Sequence, residues 1–456
     1  MTRTFASPQA NIPGRGILAG YTTRFWGLLV VIGVATGLAG AGFIALLNLV
    51  ERAAWQRPAS QFLAAVTAAS PTRDLLTLVS AGVIAGAGGL LVRRLRGSGG
   101  GEISEALWQQ GGRLALPASL VRGMLSIVTV AMGASLGREG APQLAGAALA
   151  SELCERSPTI TPAQRRLLVA AGAGAGMAAV YNVPLGGALF ALEVLLGSLA
   201  LPLVLPALLT SLFATATAWI VIPTQATYAV PIYHVAARQI VWAALIGPLA
   251  GLLALAWVRL IAHANRTRPT HRTGRVLAPI VIFAALGALA VQYPQLLGNG
   301  KELAQVVFVG ELSVGLLAVL LVLKPLVTAA CLGSGAPGGL FTPTLVLGVL
   351  FGALLGHAWT VLWPGSPIGS YALIGGGAVL AAAMQGPLSA TVLMLELTHS
   401  TGSLTVPLLL AAGIATVVAR LLGAPSIYSA RLATPHQPPQ PPLDPLPDQT
   451  AVAARR

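Results

Sequence analysis

The stretch GREGAP, residues 137–142, decides the fold together with GSGGGE at 97–102 and GGLFTP at 338–343. Each of the three stretches places glycine or proline where a helix is about to begin. Such a start leaves backbone N–H groups unpaired and presents the positive end of a helix dipole. All three stretches lie in apolar surroundings, where these groups need an anion, a side chain or buried water. The stretches therefore predict an anion site built from broken helices inside a membrane.

The composition is that of a membrane protein. Charged residues make up 9% of the chain, whereas soluble domains carry about 25%, and the mean hydropathy is +0.79. Several apolar stretches reach the roughly 17–25 residues that span a bilayer, and others are shorter and broken by Gly or Pro. They lie at residues 26–50, 75–92, 120–136, 166–180, 199–221, 239–261, 276–291, 312–331, 345–362, 371–383 and 404–422. The predicted fold class is an all-α polytopic membrane protein, a bundle with discontinuous helices.

The net charge of +14 predicts membrane topology and not a nucleic-acid partner, because the basic residues are concentrated in loops between apolar stretches. By the positive-inside rule these loops face the cytoplasm. They contain Arg93, Arg94, Arg96, Arg165, Arg166, Arg266, Arg268, Arg272 and Arg275. Residues 1–25 lack the pattern of a signal peptide and are expected to form a cytoplasmic segment. Residues 434–456 are proline-rich and are expected to form a disordered cytoplasmic tail.

No pattern of a metal site, a cofactor site or an enzyme is visible in the sequence. Cys154 and Cys331 are too few for a disulfide framework and are expected to be apolar packing residues. The six histidines show no paired-ligand spacing, and there is no Walker-type phosphate loop or nucleophile–base pair. The run AGAGAG at 171–176 is interpreted as close helix packing, because it lies in an apolar helical context.

An internal repeat is the second strong signal. Residues 178–193 align with residues 381–396 at an offset of 203, with identical residues at two alanines, one proline, two leucines and one glutamate. The repeat predicts two halves, about 26–222 and 238–433, with a site near the membrane midplane where they meet. An odd number of crossings per half would make the repeats inverted, and the sequence leaves that number open.

The motifs resemble those of the CLC family of chloride channels and chloride/proton antiporters. Three of them are the stretches quoted above, and the fourth is SIYSA at 426–430, which resembles the segment with the family's pore tyrosine. The resemblance covers about residues 20–433 and implies an inverted-repeat fold without CBS domains, in a bacterial inner membrane. It implies chloride as the transported ligand and a homodimer with one pore per subunit. Candidate interface segments are Leu199–Val221 and Leu404–Leu422.

The resemblance also implies the residues of an anion site. Ser98 and Tyr428 stand at the positions of two hydroxyl donors to the central chloride, and the backbone amides of Leu340 and Phe341 at the positions of two further donors. Arg122 is expected to raise the electrostatic potential along the path without touching the ion. From the residues alone, Ser98 could instead be a helix N-cap and Tyr428 an interfacial aromatic.

Glu139 is the residue that the sequence most clearly marks as functional. A carboxylate in an apolar segment costs roughly 2.5–3.5 kcal/mol on insertion scales, so it needs a partner or a function. At a helix N-terminus its anionic form would occupy the position that a chloride favours, and protonation or displacement would open the path. The resemblance implies the same role, that of a gating glutamate. The alternative is a salt bridge with Arg138 or a simple N-terminal helix charge.

The residue at position 194 bears on whether the chain is a channel or an antiporter. In antiporters of the family a second glutamate supplies protons from the cytoplasm, and the resemblance places it at Val194, where channel members also carry valine. Val194 therefore favours a passive chloride channel gated by voltage or pH, while the retained Glu139 supports the alternative, a chloride/proton antiporter. Glu193 and Glu396, at equivalent positions of the repeat, are interpreted as structural carboxylates that accept hydrogen bonds between helices.

Overall fold

The structure, a computed structural model, describes residues 21–57, 61–95, 102–400 and 404–432. The helices in these ranges are α1 (Thr23–Trp55), α2 (Phe62–Thr67), α3 (Pro71–Leu95), α4 (Ile103–Gln109), α5 (Leu116–Ala131), α6 (Gly140–Glu155), α7 (Pro162–Tyr181), α8 (Pro184–Leu189), α9 (Leu201–Ala218), α10 (Ala237–Arg266), α11 (Arg272–Ala290), α12 (Lys301–Val309), α13 (Val314–Gly333), α14 (Phe341–Leu362), α15 (Ile368–Met384), α16 (Pro387–Thr398) and α17 (Thr405–Leu421). A π-helical turn at Phe190–Leu196 continues α8, and a 3₁₀ turn at Ser429–Arg431 follows α17. Within the described ranges, seven helices are long and apolar enough to cross a membrane: α1, α3, α9, α10, α11, α13 and α14. The predicted all-α polytopic fold is confirmed.

The order of helices α6–α9 recurs in α14–α17. Asn182 ends α7 and Gln385 ends α15, both in the left-handed conformation with φ of 57° and 62°. Two residues later Pro184 and Pro387 begin α8 and α16, where the missing N–H of proline costs nothing. Each pair is separated by 203 residues, so the sequence repeat corresponds to a repeat of helix breaks.

Glu193 and Glu396 each cap the start of a helix in the other half of the chain. The Glu396 carboxylate accepts a hydrogen bond from the Gly186 amide at 2.6 Å, at the start of α8. The Glu193 carboxylate accepts from both the amide and the hydroxyl of Ser389 at 2.6 Å, at the start of α16. Helix starts need such acceptors because their first N–H groups have no partner within the helix. The interpretation of both residues as structural carboxylates is confirmed.

The glycines of residues 171–176 bring α7 close to α6. A Cβ at Gly146 would overlap the carbonyl group of Gly172, and a Cβ at Gly176 would overlap that of Pro142. The backbones of the two helices are therefore in contact, which confirms the interpretation of this run as close helix packing. The contact with Pro142 fixes the first turn of α6, and thereby the position of Glu139 just before it.

The core lies around α7 and α15, which are buried along most or all of their length. α14, α10 and α17 pack against α15, and α6 and α9 pack against α7. The free thiols Cys154 and Cys331 are also buried, as predicted for apolar packing residues. Helices that are apolar all round belong in the interior of a bundle, so the repeat places one such helix at the centre of each half.

Candidate functional site

Two of the glycine motifs meet in the structure. The Gly137 amide donates to the Gly339 carbonyl and the Gly339 amide donates to the Gly137 carbonyl, both at 2.8 Å. This antiparallel bridge brings the starts of α6 and α14 together. A Cβ on either glycine would overlap the Glu139 carboxylate. The lack of a side chain at both positions therefore leaves the space that Glu139 occupies.

The Glu139 side chain lies in that space, with 1% of its surface exposed. Its Oε1 accepts a hydrogen bond from the Phe341 amide at 2.8 Å, and its Oε2 lies 3.1 Å from the Thr342 hydroxyl and 3.3 Å from the Tyr181 hydroxyl. The Arg138 guanidinium lies over the Tyr181 ring, 5.5 Å from its centroid. The carboxylate thus crosses from α6 to the start of α14, where the helix dipole favours negative charge.

A small cavity of about 60 Å³ lies against Glu139. The residues that line it include Glu102, Arg122, Glu139, Leu340, Tyr428 and Arg431. Four of the residues singled out in the sequence, from four separate segments, therefore share one cavity. Phe341, the next predicted residue, contributes the amide that Glu139 already holds. Ser98 lies outside the described residues.

Tyr428 is held at this cavity by its neighbours. The Ile427 amide donates to the Ala383 carbonyl at 2.8 Å, which ties the segment to the end of α15. The Tyr428 ring makes an edge contact with Phe190, with centroids 5.5 Å apart, and its hydroxyl lies 3.9 Å from the sulfur of Met384. The ring is therefore fixed by packing at a position where Tyr428 lines the cavity.

Arg122 is part of an ion-pair cluster that the sequence did not indicate. Glu102 pairs with Arg122 and with Arg431, the latter at 2.9 Å. Burial would raise the pKa of the Glu102 carboxyl, but the guanidinium groups of Arg122 and Arg431 outweigh it and lower that pKa to about 2. Two guanidinium groups and one carboxylate leave the cluster with one positive charge. The positive potential expected of Arg122 is therefore reduced but not cancelled.

A large cavity of about 550 Å³ is lined by Tyr181. Its charged and hydroxyl-bearing walls include Glu51, Arg52, Arg138, Tyr181, Lys301 and Glu302. Glu302 is held in place because it accepts hydrogen bonds from the amides of Phe62, at 2.9 Å, and Leu63. Tyr181 lines the large cavity and Glu139 lines the small one, so their contact joins a residue of one cavity to a residue of the other.

Known proteins match most of this chain. A family model described as a voltage gated chloride channel matches residues 78–420. The chain belongs to that family, the CLC family. A putative chloride channel protein, ClcB-like, of Ralstonia nicotianae is 33% identical over 415 residues, which are 88% of this chain and 95% of the relative. A voltage-gated ClC-type chloride channel, ClcB, of Salmonella typhimurium is 32% identical over 418 residues, 89% of this chain and 98% of the relative.

A solved structure of a slow cyanobacterial Cl⁻/H⁺ antiporter has the same fold. Its TM-score is 0.77 at 24% identity, over 90% of this chain and 97% of that one. The similarity covers the whole helical bundle, and at this identity it concerns the CLC fold alone.

Val194 lies beside the small cavity of this CLC protein, in the π-helical turn after α8. Its neighbour Leu195 lines the cavity, whereas Val194 is buried against the start of α16. A Cβ on Gly386 would lie 2.7 Å from a Val194 methyl carbon. A valine side chain has no proton to exchange, so the question of proton coupling in this CLC chain depends on other groups.

Two hydroxyls that the sequence did not indicate touch the Glu139 carboxylate. Thr342 lies within the GGLFTP motif itself, and Tyr181 lies just before the left-handed Asn182 that ends α7. Both residues were visible in quoted stretches, but nothing in the sequence shows that α7 passes the start of α14. That proximity is a property of the folded CLC bundle.

Proposed function

We propose that this chain conducts chloride across a membrane through a path closed by the Glu139 carboxylate. The observation that carries this proposal is the hydrogen bond from the Phe341 amide to Glu139 Oε1, at two converging helix starts. A carboxylate and a chloride ion bind the same kind of neutral donor, so they compete for this position. Protonation of Glu139, or displacement by a permeating anion, would free the position and open the path.

The proposed chloride ligands are the hydroxyls of Ser98 and Tyr428 and the amides of Leu340 and Phe341. Support comes from the small cavity, which Leu340 and Tyr428 line. The Phe341 amide becomes available to chloride when Glu139 leaves it. The residual positive charge of the cluster of Arg122, Glu102 and Arg431 would attract anions towards the cavity. The proposal requires no cofactor or metal.

Passive conduction is the form of transport that we propose, with chloride/proton exchange as the alternative. Val194 supports conduction because it carries no ionisable group at the position where antiporters of the family have their second glutamate. The names of the ClcB relatives support the same reading. The retained Glu139, which can take up a proton as it moves, favours the alternative.

Liposomes that contain the purified protein and a chloride gradient distinguish these forms. Chloride flux down its gradient should leave the external pH unchanged once the membrane potential is shunted by valinomycin and K⁺. Liposomes without protein are the control. Sustained uphill proton movement driven by the chloride gradient would overturn the conduction proposal in favour of exchange. Absence of chloride flux would overturn both.

The proposed location is the inner membrane of a bacterium, with both termini and the basic loops in the cytoplasm. A third cavity, of about 220 Å³, supports this orientation. Arg93, Arg268 and Arg275 line it together, so the end of α3 and the loop between α10 and α11 lie on one face of the bundle. One basic face is what the positive-inside rule requires.

We also propose that the chain forms a homodimer through α9 and α17. Leu201 on α9 and Val406 on α17 are 65% and 63% exposed in the single chain. A Val406→Cys variant should form disulfide-linked dimers in mild detergent after oxidation, because a two-fold interface through α17 brings the α17 helices of the two subunits together. Val281→Cys on α11, where Val281 is 62% exposed, is the matched control and should stay monomeric on denaturing gels. Equal crosslinking of the two variants would contradict the interface.

A further inference from the structure

Two buried hydroxyls meet at the Glu139 carboxylate. The Tyr181 and Thr342 hydroxyl oxygens are 2.7 Å apart, and each lies within hydrogen-bond distance of the same oxygen, Glu139 Oε2. The side chains of Glu139, Tyr181 and Thr342 are all at most 2% exposed. In such a site the hydroxyls replace the water that a carboxylate would otherwise bind.

The number of hydrogen atoms determines how this triangle is arranged. An ionised Glu139 brings none, so two hydroxyl hydrogens serve three short oxygen–oxygen contacts. Either both hydroxyls donate to Oε2, or one donates to Oε2 and the other donates to the first hydroxyl, so Oε2 accepts at least one hydrogen bond in each arrangement. Hydrogen bonds to an ionised group are about twice as strong as those between neutral groups. The pair therefore stabilises the ionised carboxylate more than the protonated acid.

We propose that Tyr181 and Thr342 are positioning residues that hold the ionised Glu139 carboxylate on the Phe341 amide. We call the two residues the hydroxyl pair. The pair then determines how acidic the solution must be before the path opens. This inference rests on the proposed role of Glu139 as the gate. It assigns the stability of the closed gate to two side chains that are not among the proposed chloride ligands.

Other groups act on Glu139 from the elements around it, and the hydroxyl pair is distinguished from them by direct contact. Arg138 precedes it and stacks on Tyr181. The remaining titratable groups that face Glu139 or its cavity are Glu102, Arg122, Tyr228, Tyr428 and Arg431. None of these side chains contributes to the three oxygen–oxygen contacts described above.

The test is the pH dependence of chloride flux from liposomes. Thr342→Val and Tyr181→Phe each remove one hydroxyl and almost no volume, so each should shift the pH of half-maximal flux upward. The double variant leaves no hydroxyl at Oε2 and should shift it by about one unit, a tenfold change in the ratio of closed to open forms. Thr342→Ser keeps the hydroxyl and should return the wild-type profile.

Two controls separate loss of Glu139 positioning from general damage to the protein. Tyr371→Phe removes a buried hydroxyl on α15 and should keep the wild-type profile. In a Glu139→Gln background the hydroxyl-pair variants should leave an already flat profile unchanged. Wild-type profiles for Thr342→Val, Tyr181→Phe and the double variant would overturn the inference while leaving the gate proposal intact, and so would flux lowered equally at every pH. A wild-type flux that does not depend on pH would overturn the gate proposal itself.

Discussion

Replacement of Glu139 by alanine should leave chloride flux high and independent of pH. The variant removes the carboxylate that accepts a hydrogen bond from the Phe341 amide. A hydrogen bond to a charged group contributes about 1.5–3 kcal/mol, which corresponds to about a tenfold to hundredfold change in the closed fraction. Flux from liposomes at neutral pH should therefore rise to the level that the wild type reaches in acid.

Two further variants separate the effect of the Glu139 charge from the effect of its size. Glu139→Gln keeps the size of the side chain and removes its ionisation, so its flux should also be independent of pH. Glu152→Gln is the matched control, because Glu152 lies on the same helix α6, in an exposed pair with Arg156, and should keep the wild-type profile. A pH profile of Glu139→Ala like that of the wild type would reject Glu139 as the gate.

Replacement of Glu193 or Glu396 by alanine should lower the stability of the protein without changing the pH dependence of chloride flux. Glu396→Ala leaves the Gly186 amide without its acceptor, and Glu193→Ala does the same to Ser389. An unpaired buried donor costs about 1–3 kcal/mol. Each variant should lower the apparent melting temperature in detergent by a few degrees, and the double variant should lower it further.

The melting temperature and the pH dependence of flux together separate a structural role of Glu193 and Glu396 from a functional one. Glu311→Ala removes a carboxylate from an exposed loop and should leave the melting temperature unchanged. The folded fraction of Glu193→Ala should show the wild-type dependence of flux on pH, because its contacts do not include Glu139. An unchanged melting temperature together with altered proton movement would contradict the structural interpretation and implicate Glu193 in transport.

The local breaks in the fold could be read directly from the residues. Pro184 and Pro387 begin helices, and the glycines of residues 171–176 pack against α6, as their chemistry requires. Glu139 could be singled out because an unpartnered carboxylate in an apolar segment is costly. Glu193 and Glu396, at equivalent positions of the repeat, could be interpreted as structural carboxylates that accept hydrogen bonds between helices.

The partners of the site residues could not be read in the same way. Glu139 lies 202 positions from Phe341 and 42 from Tyr181. Glu102 and Arg431 lie 329 positions apart. The repeat offset of 203 relates position 139 to position 342, but the offset does not show that the two helix starts meet, because their proximity depends on how the two halves dock. The roles predicted for Ser98, Tyr428 and Val194 stay predictions, and Ser98 lies outside the described residues.

The sequence by itself determined that this is a membrane bundle with broken helices, a two-fold repeat and one exceptional carboxylate. Those properties follow from composition and from backbone chemistry, which act locally along the chain. Only the tertiary structure decided what the carboxylate touches: the amide of Phe341 and the hydroxyls of Tyr181 and Thr342. The reason is physical. Close approach across the Gly137–Gly339 bridge depends on the packing of both halves at once, and no single segment contains that information.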